Sequence, residues 1–401
     1  MSAETPMSKP RSSKPLKQPN SSPIEEARSI SDIVRTRLIA SSAGRCEFRG
    51  CNRDLYQHPV TGTAGNYSQA AHIVAFKVAG PRGQGPRPAD INAFENLMLL
   101  CGDCHHLIDT HQSDYSVETL KEHKREHEER IYALTALGPE QRTTVIQLRG
   151  TIGGQPVDIP GTDIEAALRP RYPARLPGVL VDLTSFQRES PSFFDLARDQ
   201  IRRELRPALR AELEGKRVQH YSVLALAPIP VLVCLGRELG NKVNVDLFQR
   251  QRDPARGWRW YEDGAIVDFE LRTLRAGTTP NCVGLLLSIS GRIELASLPS
   301  EVDDRFTLYE LVPRGAEPSV DLLRRREDLL AFRTTYRAAL ASICSQHGLL
   351  QTLHLFPAVP APIAVACGQE IMPKVHPSLR VFDNVKGLFT EAITVNTETD
   401  L

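Results

Sequence analysis

One pattern of residues occurs twice in this chain at a constant spacing of 132 positions. Pro228, Pro230, Gly236, Glu238, Leu239 and Lys242 read P-x-P-x5-G-x-E-L-x-x-K, and Pro360, Pro362, Gly368, Glu370, Ile371 and Lys374 repeat it with Ile in place of Leu. Each copy follows an apolar run, YSVLALA or QTLHLF, and precedes another, VNVDLF or LRVFD. Apolar runs of this length between turn residues read as strands covered on both faces, and Pro at the start with Gly near the end brackets a helix. The spacing therefore predicts an α/β domain made of two similar halves, each containing a strand, helix, strand unit.

Ligands in such sheets bind beyond the strand ends, where helix N-termini turn unpaired N–H groups toward anions. Two copies side by side predict a cleft of approximate two-fold symmetry, suited to a ligand with two phosphates such as a cyclic dinucleotide. On this reading Pro228, Lys242, Pro360 and Lys374 are candidate ligand-binding residues. Gln249, Arg250, Trp258 and Trp260 join them because they lie just past the strand after the first copy. Arg pairs with phosphate and Trp stacks on bases.

The N-terminal third carries a different signal. Of the eight cysteines in 401 residues, four form two close pairs, Cys46 with Cys51 and Cys101 with Cys104, and fifty positions separate Cys51 from Cys101. That count is too low for a disulfide framework, whereas two close pairs supply four thiolates for a closed, structural zinc site. Interlocked with them stand His72, Asn96, His105, His106 and Asp109. Asp109 follows His105 by one helical turn and shares its face, while His106 points elsewhere on that helix. The loop GPRGQGPRP, with Lys77, Arg82 and Arg87 in and beside it, offers cations to a phosphate backbone.

Composition narrows the setting. A net charge of +1 excludes bulk basicity as a nucleic-acid handle. Eighteen apolar residues nowhere run together, and the N-terminus has no hydrophobic core of the export type, so a soluble, cytoplasmic protein without a membrane partner is expected. Residues 1–27, rich in Ser, Pro and Lys, read as a disordered tail. A compact module over 28–137 is expected to end in a helix capped by Ser116, followed by a second domain over 138–401.

The order His72, Asn96, then His105 directly after a C-x-x-C pair closely resembles the HNH nuclease motif. With the duplicated segments ALAPIPVLVCLGRELG and HLFPAVPAPIAVACGQEIMPKVHP, the chain resembles the HNH-SAVED endonuclease effectors of bacterial cyclic-oligonucleotide anti-phage signalling (CBASS). The resemblance implies a zinc-stabilised ββα-metal module followed by a SAVED domain of two fused Rossmann-like, CARF-like halves. It implies His72 as general base, His105 as ligand to Mg²⁺ or Mn²⁺, and Asn96 as the residue that orients the base. Many members place an acidic ligand directly before the first His, where this chain has Ala71, so the resemblance makes Asp109 the candidate replacement ligand beside His105, with His106 as the fallback. The resemblance further implies double-stranded DNA as substrate, a cyclic dinucleotide activator made by a partner cyclase, and self-association into dimers or higher oligomers. A metabolite-sensing DNA-binding regulator and an RNase with the same gating are the alternatives.

Overall fold

The computed structural model describes residues 29–213, 220–253, 255–348 and 350–397, so the expected tail over 1–27 lies outside the described residues. The chain divides into two compact units, one ending at Ala136 and the other beginning at Leu137.

The first unit opens with α1 (Asp32–Ser42), whose N-cap Ser31 accepts a hydrogen bond from Val34 N–H. Strand β1 (Ser68–His72) pairs antiparallel with β2 (Leu97–Cys101), placing His72 opposite Leu97 and Ser68 opposite Cys101. Helix α2 (Gly102–Thr110) starts without an intervening loop, because the Cys101 thiol accepts from Cys104 N–H and caps it. Helix α3 (Val117–Thr135) is capped by Ser116, as its sequence predicts. Strand β2 is buried along its whole length and forms the unit's core with Leu38, Leu55, Ile73, Ile108 and Leu120.

The second unit contains β3 (Arg142–Arg149), a small hairpin of β4 (Thr151–Ile152) and β5 (Gln155–Pro156), and α4 (Gly161–Leu168). Then come β6 (Tyr172–Pro173), β7 (Val179–Asp182), α5 (Phe193–Leu213), β8 (Tyr221–Leu226), α6 (Ile229–Leu239) and β9 (Val245–Phe248). The remaining elements are β10 (Phe269–Arg275), β11 (Val283–Ser288), β12 (Thr307–Pro313), α7 (Arg326–His347), β13 (Thr352–Ala358), α8 (Ala361–Gln369), β14 (Ser378–Val385) and β15 (Leu388–Val395). One sheet runs β6-β3-β8-β9, with β7 also on β3, and all its pairings are parallel. The other runs β10-β12-β11-β13-β14-β15, with parallel strands inside and antiparallel strands at both edges.

The sequence repeat lies where the halves meet. Helices α6 and α8 cross with Gly236 against the Val365 carbonyl and Gly368 against the Val233 carbonyl; a Cβ at either glycine would stand 1.9 Å from that oxygen. Only hydrogen fits there. The repeated glutamates are equally structural. In the first half Glu238 Oε1 accepts from Arg202 Nε at 2.6 Å and Oε2 from Arg206 Nε at 2.9 Å. In the second half Glu370 Oε1 takes Arg333 Nε at 2.6 Å, with Arg337 Nε 3.6 Å from Oε2. Each pair of arginines is one turn apart on the long helix before the repeat, so each short helix is tied to its own half in the same way.

Candidate functional site

The first unit gathers its chemistry at the end of the hairpin. His72, last in β1, donates from Nε2 to Asn92 Oδ1 at 3.0 Å and stands edge-on to Phe76. Asn96 is 4% exposed and spends its whole amide on the backbone: Oδ1 accepts from Val74 N–H, while Nδ2 donates to the Val74 and Ile91 carbonyls. It thereby joins the segment after His72 to the one before Asn92. His105, in the first turn of α2, donates from Nδ1 to Gln69 Oε1 at 2.5 Å and turns Nε2 toward Asp109 Oδ2, 3.5 Å away. Burial holds His105 below the ordinary imidazole value, and the charges of His72 and Arg82 add to this while Asp109 opposes it. A neutral imidazole beside a carboxylate is a suitable pair for a divalent cation that completes its shell with water and phosphate. Ala71, where an acidic ligand would stand, is fully buried in the core.

The basic loop differs from its sequence reading. Arg82 is almost completely buried and donates to the Ile73 carbonyl at 2.7 Å, the Ile108 carbonyl at 2.6 Å and Asp109 Oδ1 at 3.2 Å. Arg87 donates to the carbonyls of Ala75, Phe76 and Gly83. A segment without regular structure has carbonyls to satisfy, and these two guanidinium groups satisfy them, Arg82 from a buried position and Arg87 at the surface. Lys77 is exposed, as is His106, whose ring lies beside Thr110.

Behind this site the four clustered cysteines come together, their sulfurs all within 4.8 Å of one another. A tetrahedral zinc with Zn–S bonds of about 2.3 Å needs sulfurs at this kind of separation. Burial pushes the Cys46 thiol up to about 12 and raises Cys104 as well. At Cys101 burial acts in the same direction, but hydrogen bonds from Cys104 and the neighbouring thiols outweigh it and lower the value. A bound cation would relieve the burial and repulsion that raise the first two. Cys234, Cys282, Cys344 and Cys367 lie apart from this cluster.

In the second unit, Pro228 and Pro360 are the buried N-caps of α6 and α8, where β8 and β13 end. Gln249 and Arg250 follow β9, at the same end of its sheet as the end of β8; both are half-buried, and Arg250 Nη1 lies 3.7 Å from Asp163 Oδ2. Lys242 and Lys374 are exposed beyond the C-termini of the two helices. An eleven-residue helix such as α6 is about 16 Å long. The repeated prolines and lysines therefore lie at opposite ends, and one pocket at the helix N-termini does not include Lys242 or Lys374.

Residues 46–113 match the HNH endonuclease family, and residues 201–395 match the SAVED family, described as SMODS-associated and fused to various effectors sensor domain. The chain joins an HNH endonuclease domain to a SAVED sensor domain. Among solved structures, the HNH–SAVED chain is similar to the Acinetobacter baumannii Cap4 SAVED/CARF-domain containing receptor with the cyclic trinucleotide 2'3'3'-cAAA, at 13% identity and a TM-score of 0.40 over 74% of this chain and 60% of that one. The Moraxella osloensis Cap4 SAVED/CARF-domain containing receptor gives 11% identity and a TM-score of 0.36 over 73% of this chain and 59% of that one. The chain thus spans about 60% of the length of these receptors. No curated protein matches it.

Trp258, expected to stack on a base, is 2% exposed and packed in the hydrophobic core, and Trp260 is buried there too, so neither presents an open ring face. Gly257, directly before Trp258, sits in a turn with φ +60°, and the W-x-W segment that follows packs both rings into the core. In the HNH domain, Gln69 and Asn92 escape sequence reasoning although each holds one of the site histidines. An amide in a motif-sized gap gives no signal until the path of the loop is known. Among the described residues, no helix is long and apolar enough to cross a membrane.

Proposed function

We propose that this chain is an effector endonuclease of CBASS, in which a cyclic oligonucleotide bound by the SAVED domain switches on hydrolysis of double-stranded DNA by the HNH domain. The observation that carries the reading is the joining, in one chain, of a His72, His105 and Asp109 site on a ββα hairpin to a SAVED sensor.

In the reaction, His72 serves as general base. Its Nε2–H is held by Asn92, so Nδ1 is the nitrogen that takes a proton from the attacking water. Asn96 keeps the strand end and the Asn92 segment in register and so fixes the direction of that nitrogen. His105 and Asp109 hold Mg²⁺ or Mn²⁺, which when bound supplies positive charge to the phosphate and the departing oxygen. Zinc on Cys46, Cys51, Cys101 and Cys104 holds the start of α2, and with it His105. Lys77 contacts the DNA backbone, which carries no sequence information, so cutting is largely non-specific.

The messenger binds at the strand ends where α6 and α8 begin, contacted by the Pro228 and Pro360 turns and by Gln249 and Arg250. The paired halves suit a ring with two phosphates, a cyclic dinucleotide made by a partner cyclase in the cytoplasm. A ligand shifts an equilibrium only through different affinities for its two states. Self-association that completes the ligand site would provide that difference and bring HNH domains together on the two strands.

The test is plasmid and RNA cleavage by the purified chain with Mg²⁺ or Mn²⁺, across a panel of cyclic di- and trinucleotides, with His72→Ala as control. DNA cleavage that requires one messenger and is lost in the control is expected. Cleavage without messenger refutes the gating, and messenger binding without cleavage of either nucleic acid refutes the nuclease reading.

A further inference from the structure

We propose that Gln69 is a positioning residue of the nuclease centre, whose side-chain carbonyl holds His105 in the Nδ1–H tautomer and keeps the Nε2 lone pair turned toward Asp109. The inference rests on the reading of His105 and Asp109 as ligands of the divalent cation.

The geometry comes from the hairpin. Gln69 pairs with Leu100 across the ladder, near the end where β2 passes directly into α2. Its amide therefore lies over the first turn of the helix; a Cβ at Gly102 would touch Gln69 Nε2 at 3.7 Å. There Oε1 meets His105 Nδ1 at 2.5 Å. A neutral imidazole carries one N–H, and an amide oxygen can only accept, so this contact places the proton on Nδ1. Nε2, 3.5 Å from Asp109 Oδ2, is then the bare nitrogen that can bind a cation.

Without Gln69 the balance reverses. The Asp109 carboxylate attracts a proton to Nε2, the wrong nitrogen for metal binding, and nothing else within hydrogen-bond distance of Nδ1 opposes it among the described contacts. Asp109 needs no such help, because Arg82 already fixes its Oδ1. The two ligands are thus oriented separately, one by a buried guanidinium and one by an amide. The role weighs more here because Ala71 contributes no ligand, which leaves His105 with a larger share of the site. Partners that fix the tautomer of a metal-binding His typically alter affinity by about 10–100-fold when removed.

The experiment uses the full chain with its cysteine site loaded with zinc. Mn²⁺ affinity is measured by electron paramagnetic resonance for the wild type, Gln69→Ala, Gln69→Glu and His105→Ala, and imidazole ¹⁵N shifts are recorded without Mn²⁺ after selective histidine labelling. Expected results are an Nδ1–H tautomer at His105 in the wild type, a shift toward Nε2–H in Gln69→Ala with Mn²⁺ affinity about 10–100-fold weaker, and recovery in Gln69→Glu, which restores the acceptor. Wild-type affinity in Gln69→Ala together with loss in His105→Ala overturns the role of Gln69 and keeps the metal reading. Wild-type affinity in His105→Ala overturns the metal reading itself, and an Nε2–H tautomer in the wild type overturns the inference whatever the affinities.

Discussion

Replacing Gly236 by Ala puts a carbon 1.9 Å from the Val365 carbonyl oxygen, 2.8 Å from its carbonyl carbon and 3.0 Å from the Gln369 nitrogen. All three are backbone atoms of α8, so no side chain can swing away. Real Cβ atoms essentially never come closer than 3.0 Å to another atom, and α6 and α8 must therefore part by about 1 Å. Overpacking of this kind costs about 1–3 kcal/mol, and a crossing of two backbones belongs at the upper end. Alanine returns about 1 kcal/mol through its better helix propensity. The net loss is about 2 kcal/mol, a fall in Tm of about 4–8 °C for a unit of this size. Gly368→Ala, which meets the Val233 oxygen at the same distance, should cost the same. Once one methyl has parted the helices the second finds space, so the double variant should lose about 3 kcal/mol and not the sum. Both tryptophans of the chain are buried in the second unit, so urea unfolding followed by tryptophan emission reports on this unit alone. Gly291→Ala, where an added Cβ meets nothing, is the control. A neutral single variant, or a double variant equal to the sum, would refute the crossing as the reason for these glycines.

Three further outcomes follow from the same structure. Burial between Phe306 and Phe382 pushes His354 down to about 4, against about 6.5 in the unfolded chain, so the stability gained by keeping it neutral is intact above pH 6.5 and is lost as pH falls toward 4. His354→Phe should remove that loss, about 2 kcal/mol by pH 5, and equal acid sensitivity of variant and wild type in urea titrations would count against it. Glu238→Gln and Glu370→Gln each weaken a buried carboxylate held by two arginines and should cost about 2 kcal/mol apiece by the same unfolding assay; a cost in one half alone would contradict the equivalence of the two clamps. Titration with a mercurial should release one zinc per chain, read with a chromogenic chelator, and unfold the first unit while tryptophan emission stays constant. Release of no metal would remove zinc from the cysteine cluster.

What the sequence conveyed depended on how local the information was. The four cysteines and the His72, Asn96 and His105 set are legible because their spacing is itself the signal, and the fold needs only to close a hairpin to bring them together. The repeat was equally visible, yet its glycine and glutamate proved to serve packing, since pattern alone does not distinguish a residue pressed against a backbone from one facing a ligand. The lysines share the motif with the prolines, although a helix length lies between them. Arg82 and Arg87 looked available because loop cations usually are; their carbonyl partners became visible only with the path of the loop. Trp258 and Trp260 lie in the core, and a W-x-W segment reads the same in sequence whether its rings face the core or a ligand.

The interlocking of the cysteines also sets an order of events during synthesis. Cys46 and Cys51 leave the ribosome long before Cys101 and Cys104, and the residue after Cys104 is His105. With a cation on the four thiols, closure of that loop waits for the last pair, and the first turn of α2 is fixed only then. A chain starved of the cation would close its hairpin without that anchor on the first turn of α2, where His105 stands. The supply of metal would then bear on how many chains carry a fixed first turn of α2.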